Sequence, residues 1–183
     1  LDLQFSDRGQ HQGASLLPAA DAYVRDGSYA DQNFGAGNLA VNLDAAGENR
    51  EAYLRFDLSG IAQPITSAWL QLTPGQVDGP AENQLAFVPD DVWGESAITW
   101  NSRPAAAGPF ACWTPAAGRP ELFDVTMLVE QARAGDGQFS LRISSTAAGA
   151  GLGAWFYSRE EAEAKLRPRL LIMTANTVAD PVL

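Results

Sequence analysis

Cysteine, histidine and lysine occur once each in these 183 residues, as Cys112, His11 and Lys165. A single cysteine excludes an internal disulfide, and its setting, Pro109-Phe110-Ala111-Cys112-Trp113, is that expected of a small buried thiol. One histidine and one cysteine cannot fill a four-ligand zinc site without several carboxylates. His11 lies in the polar stretch Gly9-Gln10-His11-Gln12-Gly13, where a flexible surface position is expected. No Gly-x-Ser-x-Gly elbow accompanies it, so a Ser-His-Asp hydrolase is not indicated. The phosphate-cradling Gly-x-x-x-x-Gly-Lys is missing as well. Positive charge is scarce: net charge is −10 and the pI is near 4.4, which argues against nucleic acid as a partner. Nor does any apolar run approach the roughly 20 residues of a membrane-spanning helix, so no membrane insertion is expected.

What is present fits one globular domain. Apolar residues make up 46% and charged residues 19%, enough apolar material for a core and too little charge for a disordered chain. Seventeen glycines and eleven prolines without a period suit a fold with many turns. Period-2 alternation marks four strands. Ala52, Leu54, Phe56 and Leu58 share one face, with Tyr53, Arg55 and Asp57 on the other. Phe139, Leu141 and Ile143 point inward against Ser140, Arg142 and Ser144; Leu39, Val41 and Leu43 fall together; Ala68, Leu70 and Leu72 oppose Trp69 and Gln71. Weaker strands are expected over 21–25, 84–88, 122–126, 154–158 and 169–174, and short helices over 125–134 and 160–166. About nine strands without a long helical period predict an all-β sandwich or barrel of antiparallel strands with one or two short helices. Residues 1–17 read as a lead segment, 18–174 as the domain and 175–183 as a tail. The chain opens at Leu1 without a methionine, a basic region or an apolar stretch. That is expected of a chain freed of its signal peptide, or of a piece of a longer protein.

Eight fragments occur in a familiar order: Asp21-Ala22-Tyr23-Val24; Asn33-Phe34-Gly35; Asn49 to Leu58; Ile65 to Leu70; Trp93-Gly94-Glu95-Ser96-Ala97-Ile98-Thr99-Trp100-Asn101-Ser102-Arg103-Pro104; Phe123-Asp124-Val125-Thr126; Phe156-Tyr157-Ser158-Arg159-Glu160; and Arg167-Pro168-Arg169-Leu170. Together, from about Pro18 to Met173, they resemble a DNRLRE-type domain, the group that includes carbohydrate-binding module family 96. The resemblance implies a jelly-roll sandwich that is secreted or held at a cell surface. It also implies attachment to polysaccharide-degrading enzymes or surface proteins, an alginate-like ligand as one possibility, and a structural calcium of the kind related modules carry.

The residues offer sites for such roles. Sugar rings stack on flat aromatics, and Trp69, Trp113 and Trp155 are expected at the surface; Trp93 and Trp100 are expected to pack an irregular loop. Arginine forks pair with uronate carboxylates, and Arg55 and Arg142 project from strand faces read as solvent-facing, with Tyr53 beside Arg55 and with Arg25 and Tyr29 framing the first loop. The alternative is that Arg55 and Arg142 form cross-strand pairs with Asp57 or Glu51. Hard oxygen donors for calcium are Asp21, Asp26, Asp31 and Asn33. Arg159 is expected to hold a buried carboxylate such as Asp21. Asp90, Asp91, Glu95, Glu160, Glu161 and Glu163 are the carboxylates a glycosidase would draw on, and Tyr53 with Arg55 those of a lyase. No coherent acid–base set emerges, and a non-catalytic module is the leading expectation. A structural or adhesive domain of a surface protein comes second, and a small polysaccharide lyase third.

Overall fold

The computed structural model describes residues 11–175. Twelve strands and one α-helix are found among them. The strands are β1 (His11–Leu16), β2 (Ala20–Arg25), β3 (Leu39–Asn42), β4 (Arg50–Asp57), β5 (Ile65–Leu72), β6 (Pro74–Asp78), β7 (Asn83–Val88), β8 (Pro109–Trp113), β9 (Glu121–Asp124), β10 (Gln138–Ser145), β11 (Gly153–Phe156) and β12 (Arg169–Ala175). The helix α1 (Thr126–Ala134) lies between β9 and β10. One sheet has the order β1-β12-β5-β9; the other runs β6-β11-β3-β4-β10-β7-β8, with β2 also on β4. All strand pairs in these sheets are antiparallel. The expected all-β sandwich is what the chain forms.

The core lies between the sheets and is built from the alternation. Ala52, Leu54, Phe56 and Leu58 meet Ala68, Leu70 and Leu72 from the opposite sheet, with Phe139, Leu141, Ile143, Phe156 and Ile172 around them. All nine strands expected from the sequence are present, with ends shifted by at most two residues. Three further strands carry little alternation: β1, β6 and β8. Each is an outermost strand of its sheet, and β6 and β8 open on Pro74 and Pro109, which an edge tolerates because it need not donate on its free side. Strand β1 forms within the segment read as a lead, pairing with β12 from His11↔Ala175 to Leu16↔Leu170. Residues 1–10 and all but the first residue of the tail lie outside the described residues.

Two expectations are corrected. Cys112 is exposed, because β8 is an edge strand and alternation turns the thiol outward while Ala111 and Trp113 face the body. The second expected helix reduces to a single 3-10 turn over Ala164–Leu166, ahead of Pro168.

Helix α1 is fastened through one carboxylate. Glu130 accepts the Ile65 N–H (3.0 Å), joining the helix to the start of β5, and a two-pronged bond from Arg133 (2.6 and 2.7 Å). The Arg133 fork, then the Ile65 N–H, hold its carboxyl down at about 2. A carboxyl depressed in the fold stabilises above its unfolded value and loses that contribution as pH falls through the folded one. Its stabilisation is therefore complete above about pH 4.5 and gone near pH 2. The side chain is about a third exposed, which reduces the effect by solvent screening. Urea unfolding of Glu130→Gln should show a loss of about 0.5–1 kcal/mol at pH 7 that vanishes near pH 2. A pH-independent deficit would refute this role.

Candidate functional site

Tyr53, Arg55 and Arg142 project from the face of β4 and β10 opposite the core, as alternation requires. That face is not open. Residues 91–104 fold across it, and Ala20, Ala22, Val24, Tyr53, Val88, Trp93 and Ile98 make a second apolar cluster there. Tyr53 is fully buried, its hydroxyl donating to Glu51 (3.0 Å) with the Pro104 carbonyl 3.3 Å away; burial, and then the Glu51 charge, push the phenol above its ordinary range. Arg55 donates to the carbonyls of Asp91 (2.8 Å) and Trp93 (2.6 Å) and lies over the Trp93 ring. Arg142 and Arg103 both pair with Glu51, at 3.5 and 3.0 Å. Three residues expected to meet ligand are thus structural, as is the Tyr53–Arg55 pair a lyase would need. Trp93 is buried and Trp100 half-buried beneath the Arg103 guanidinium at 3.7 Å, the packing roles expected of them.

Other expected residues do come together at the surface. Trp155 on β11 lines a groove of about 330 Å³ with Asn42, Asp44, Glu48, Arg50, Asp78 and the 151–153 turn. From Trp155 a row of half-buried rings continues: Tyr23 lies edge-on to it at 6.2 Å, Phe34 stacks on Tyr23 at 4.6 Å, and Tyr29 stands 6.4 Å from Phe34. Arg25 caps the row, its guanidinium 3.8 Å above the Tyr29 ring. Its Nη2 also donates to both carboxylate oxygens of Glu48, at 2.8 Å each, and Arg50 pairs with the same carboxylate. The turn carrying Glu48 packs directly on the first loop: Gly27, at φ +64°, leaves no room for a side chain, since a Cβ there would lie 2.4 Å from the Gly47 Cα. The sequence does not mark Tyr23, Phe34, Asn42, Glu48 or Arg50 as ligand-binding, although Tyr23, Phe34 and Arg50 lie in the fragments that carry the resemblance. Period 2 along β2 does align Tyr23 with Arg25, but nothing in the sequence brings β3 and β11 beside them.

Two tryptophans stand elsewhere. Trp113 packs on Phe123 (4.7 Å) and Phe156 (6.1 Å) as an extension of the core. Trp69 is 41% exposed on the outer face of the β1-β12-β5-β9 sheet, opposite Leu171 and Asp124 and beside exposed Leu122.

The four oxygen donors expected to share calcium are dispersed. Asp26 accepts from the Asn49 N–H (2.9 Å) and Nδ2 (2.6 Å), Asp31 from Asn101 (2.7 Å), and Asn33 donates to the carbonyls of Glu95 (2.6 Å) and Ile98 (2.8 Å). Their short side chains are taken up by loop packing. Asp21 instead joins Glu95 and Glu160, with one carboxylate oxygen from each within 4.8 Å of the others. Arg159 attends this group, as expected for Asp21, although through its backbone: its N–H donates to Asp21 (2.8 Å), while its guanidinium reaches Glu95 (3.2 Å) and Glu160 (3.3 Å). Burial first, then the charges of Glu160 and Glu95, push the Asp21 carboxyl up to about 7 against the Arg159 bond.

Among the described residues, none of these arrangements places a base beside an activated nucleophile. The groove and its aromatic row have the form of a binding surface: flat apolar faces next to fixed polar groups. No curated protein matches the chain. The sequence pattern of carbohydrate-binding module family 96 matches it over residues 12–174, taking in both sheets, the covering segment 91–104 and the groove, so the chain belongs to carbohydrate-binding module family 96.

Proposed function

We propose that the chain holds a polysaccharide, with no bond made or broken, in the groove beside Trp155 and along the rings that continue from it. The connected row Trp155–Tyr23–Phe34–Tyr29 carries this proposal. Half-buried aromatics held rigid by one another lose little freedom when a sugar face covers them. Asn42, Arg50, Glu48, Asp44 and Asp78 supply donors and acceptors for hydroxyls at the groove.

The charge distribution favours an uncharged glycan over an alginate-like one. In the groove lining, the carboxylates of Asp44, Glu48 and Asp78 outnumber the single guanidinium of Arg50. Arg25 and Arg50 are already paired with Glu48, and Arg103 and Arg142 with Glu51. A uronate polymer would have to displace these partners or bring a bridging cation. We extend the proposal to a secreted or cell-surface setting, with further domains of an enzyme or surface protein beside the module.

A second proposal, that of a structural or adhesive domain, has one observation in its favour: exposed Trp69 with Leu122 and Leu171 on the far sheet. Affinity gel electrophoresis against neutral and uronic-acid polysaccharides, with and without calcium, separates these readings. Retardation by a neutral glycan is the expected result. Retardation by uronic-acid polymers alone would overturn the neutral preference, and free migration in every gel would overturn carbohydrate binding at this groove.

A further inference from the structure

We propose that Asp21, Glu95 and Glu160 form a calcium site that fastens the segment 89–108 and the turn after β11 onto β2. The three carboxylates come from parts of the chain far apart in sequence, and one oxygen of each lies within 4.8 Å of the others. Such convergence on a single point of the surface is not a consequence of any local turn.

The charges do not balance within the protein. With all three carboxylates ionised, as a bound cation would hold them, the single guanidinium of Arg159 leaves a net −2, the charge a divalent cation cancels. The bonds found at the glutamates engage only Oε2 of Glu95, from the Asp21 N–H and Arg159, and Oε1 of Glu160, from Arg159. Asp21 is the sharper case. It is 1% exposed, its Oδ2 accepts the Arg159 N–H, and its Oδ1 is buried without any partner among the described residues. A carboxylate oxygen removed from water and left unpaired costs several kcal/mol in general, and a coordinated cation is one of the few ways to offset this.

The donor chemistry selects the metal. All three ligands are hard oxygens, with no imidazole or thiolate in the group. Calcium accepts six to eight oxygens in loose geometry, so three carboxylates completed by water suit it. The segment bearing Glu95 already lies tight against the first loop: a Cβ on Gly35 would sit 2.6 Å from the Glu95 carbonyl oxygen. A cation there would tie together from outside what Trp93 and Arg55 hold from inside. The site does not depend on which glycan is bound, and its test needs none.

Chelator-treated protein titrated with calcium chloride in a calorimeter should bind one ion per chain. Thermal unfolding should then rise by about 5–10 °C at a hundredfold excess over Kd. Glu160→Gln, at the exposed end of the site, should weaken calcium at least tenfold, and Asp21→Asn should abolish the heat. Asp26→Asn, in the first loop but bonded to Asn49, should keep the affinity of the unaltered chain. No heat and no thermal shift in the unaltered protein would overturn the proposal. So would a Glu160→Gln variant that binds calcium as tightly as before, which also covers the case in which Asp21→Asn fails to fold.

Discussion

Trp93→Ala is expected to cost about 3–5 kcal/mol of folding stability, the range for removing a large buried aromatic. Trp93 is 7% exposed and is the keystone of the covered outer face of β4. Its ring stands edge-on to Tyr53 at 6.1 Å, its Nε1 donates to the Ser140 hydroxyl at 3.2 Å, and the Arg55 guanidinium lies 5.5 Å above it. Truncation would empty the space over Tyr53 and leave the Ser140 hydroxyl, itself fully buried, without its donor. The backbone of residues 91–104 would lose its apolar anchor, while the two Arg55 bonds to carbonyls would be left spanning a cavity. Denaturant unfolding measures the loss, and amide exchange shows where it falls. Protection should drop in 91–104 and along β2 well before it drops at Leu54, Phe139 or Leu141, which belong to the separate core between the sheets. A loss below about 1 kcal/mol, or uniform deprotection, would mean that the segment is held chiefly by something other than this ring.

The same face shows how far the sequence reaches. Alternation correctly assigns Tyr53, Arg55 and Arg142 to the side of β4 and β10 away from the inter-sheet core. It carries no information about what lies on that side. The cover comes from residues some 40 positions further along, whose own pattern is irregular because they form neither strand nor helix. Trp93 and Trp100 were readable as packing residues since two tryptophans in such a segment need somewhere to go, yet their partner was not. The edge strands failed for a related reason: β1, β6 and β8 pair on one side only and need no full apolar face, so the sequence has no period to show. The acidic group was half legible. Asp21 and its dependence on Arg159 could be anticipated, whereas the meeting of Glu95 and Glu160 with it depends on a fold that brings two distant loops onto one strand.

Trp155→Ala should weaken glycan binding by about 2 kcal/mol, roughly 30-fold, while leaving the fold intact. Trp155 is half-buried and its neighbours on β11, Ala154 and Phe156, are the ones turned into the core at 0% exposure. Removing the indole therefore strips the groove wall and the edge contact to Tyr23, at 6.2 Å, without opening the space between the sheets. The matched control is Trp69→Ala. That ring is the more exposed of the two, but it stands on the other sheet between Leu171 and Asp124, with no stacked ring among the described residues to extend a platform. Its removal should leave glycan affinity unchanged. Arg25→Ala belongs between them: it uncaps Tyr29 and frees one side of Glu48, so a smaller loss is expected at the far end of the row. Titration of all three variants against the glycan that retards the unaltered chain orders the effects. Affinity lost in Trp69→Ala and kept in Trp155→Ala would move the binding surface to the outer face of the four-stranded sheet. Equal losses in Trp155→Ala and Arg25→Ala would mean that the sugar chain runs the full length of the row, with its energy spread across all four rings and not concentrated at the groove.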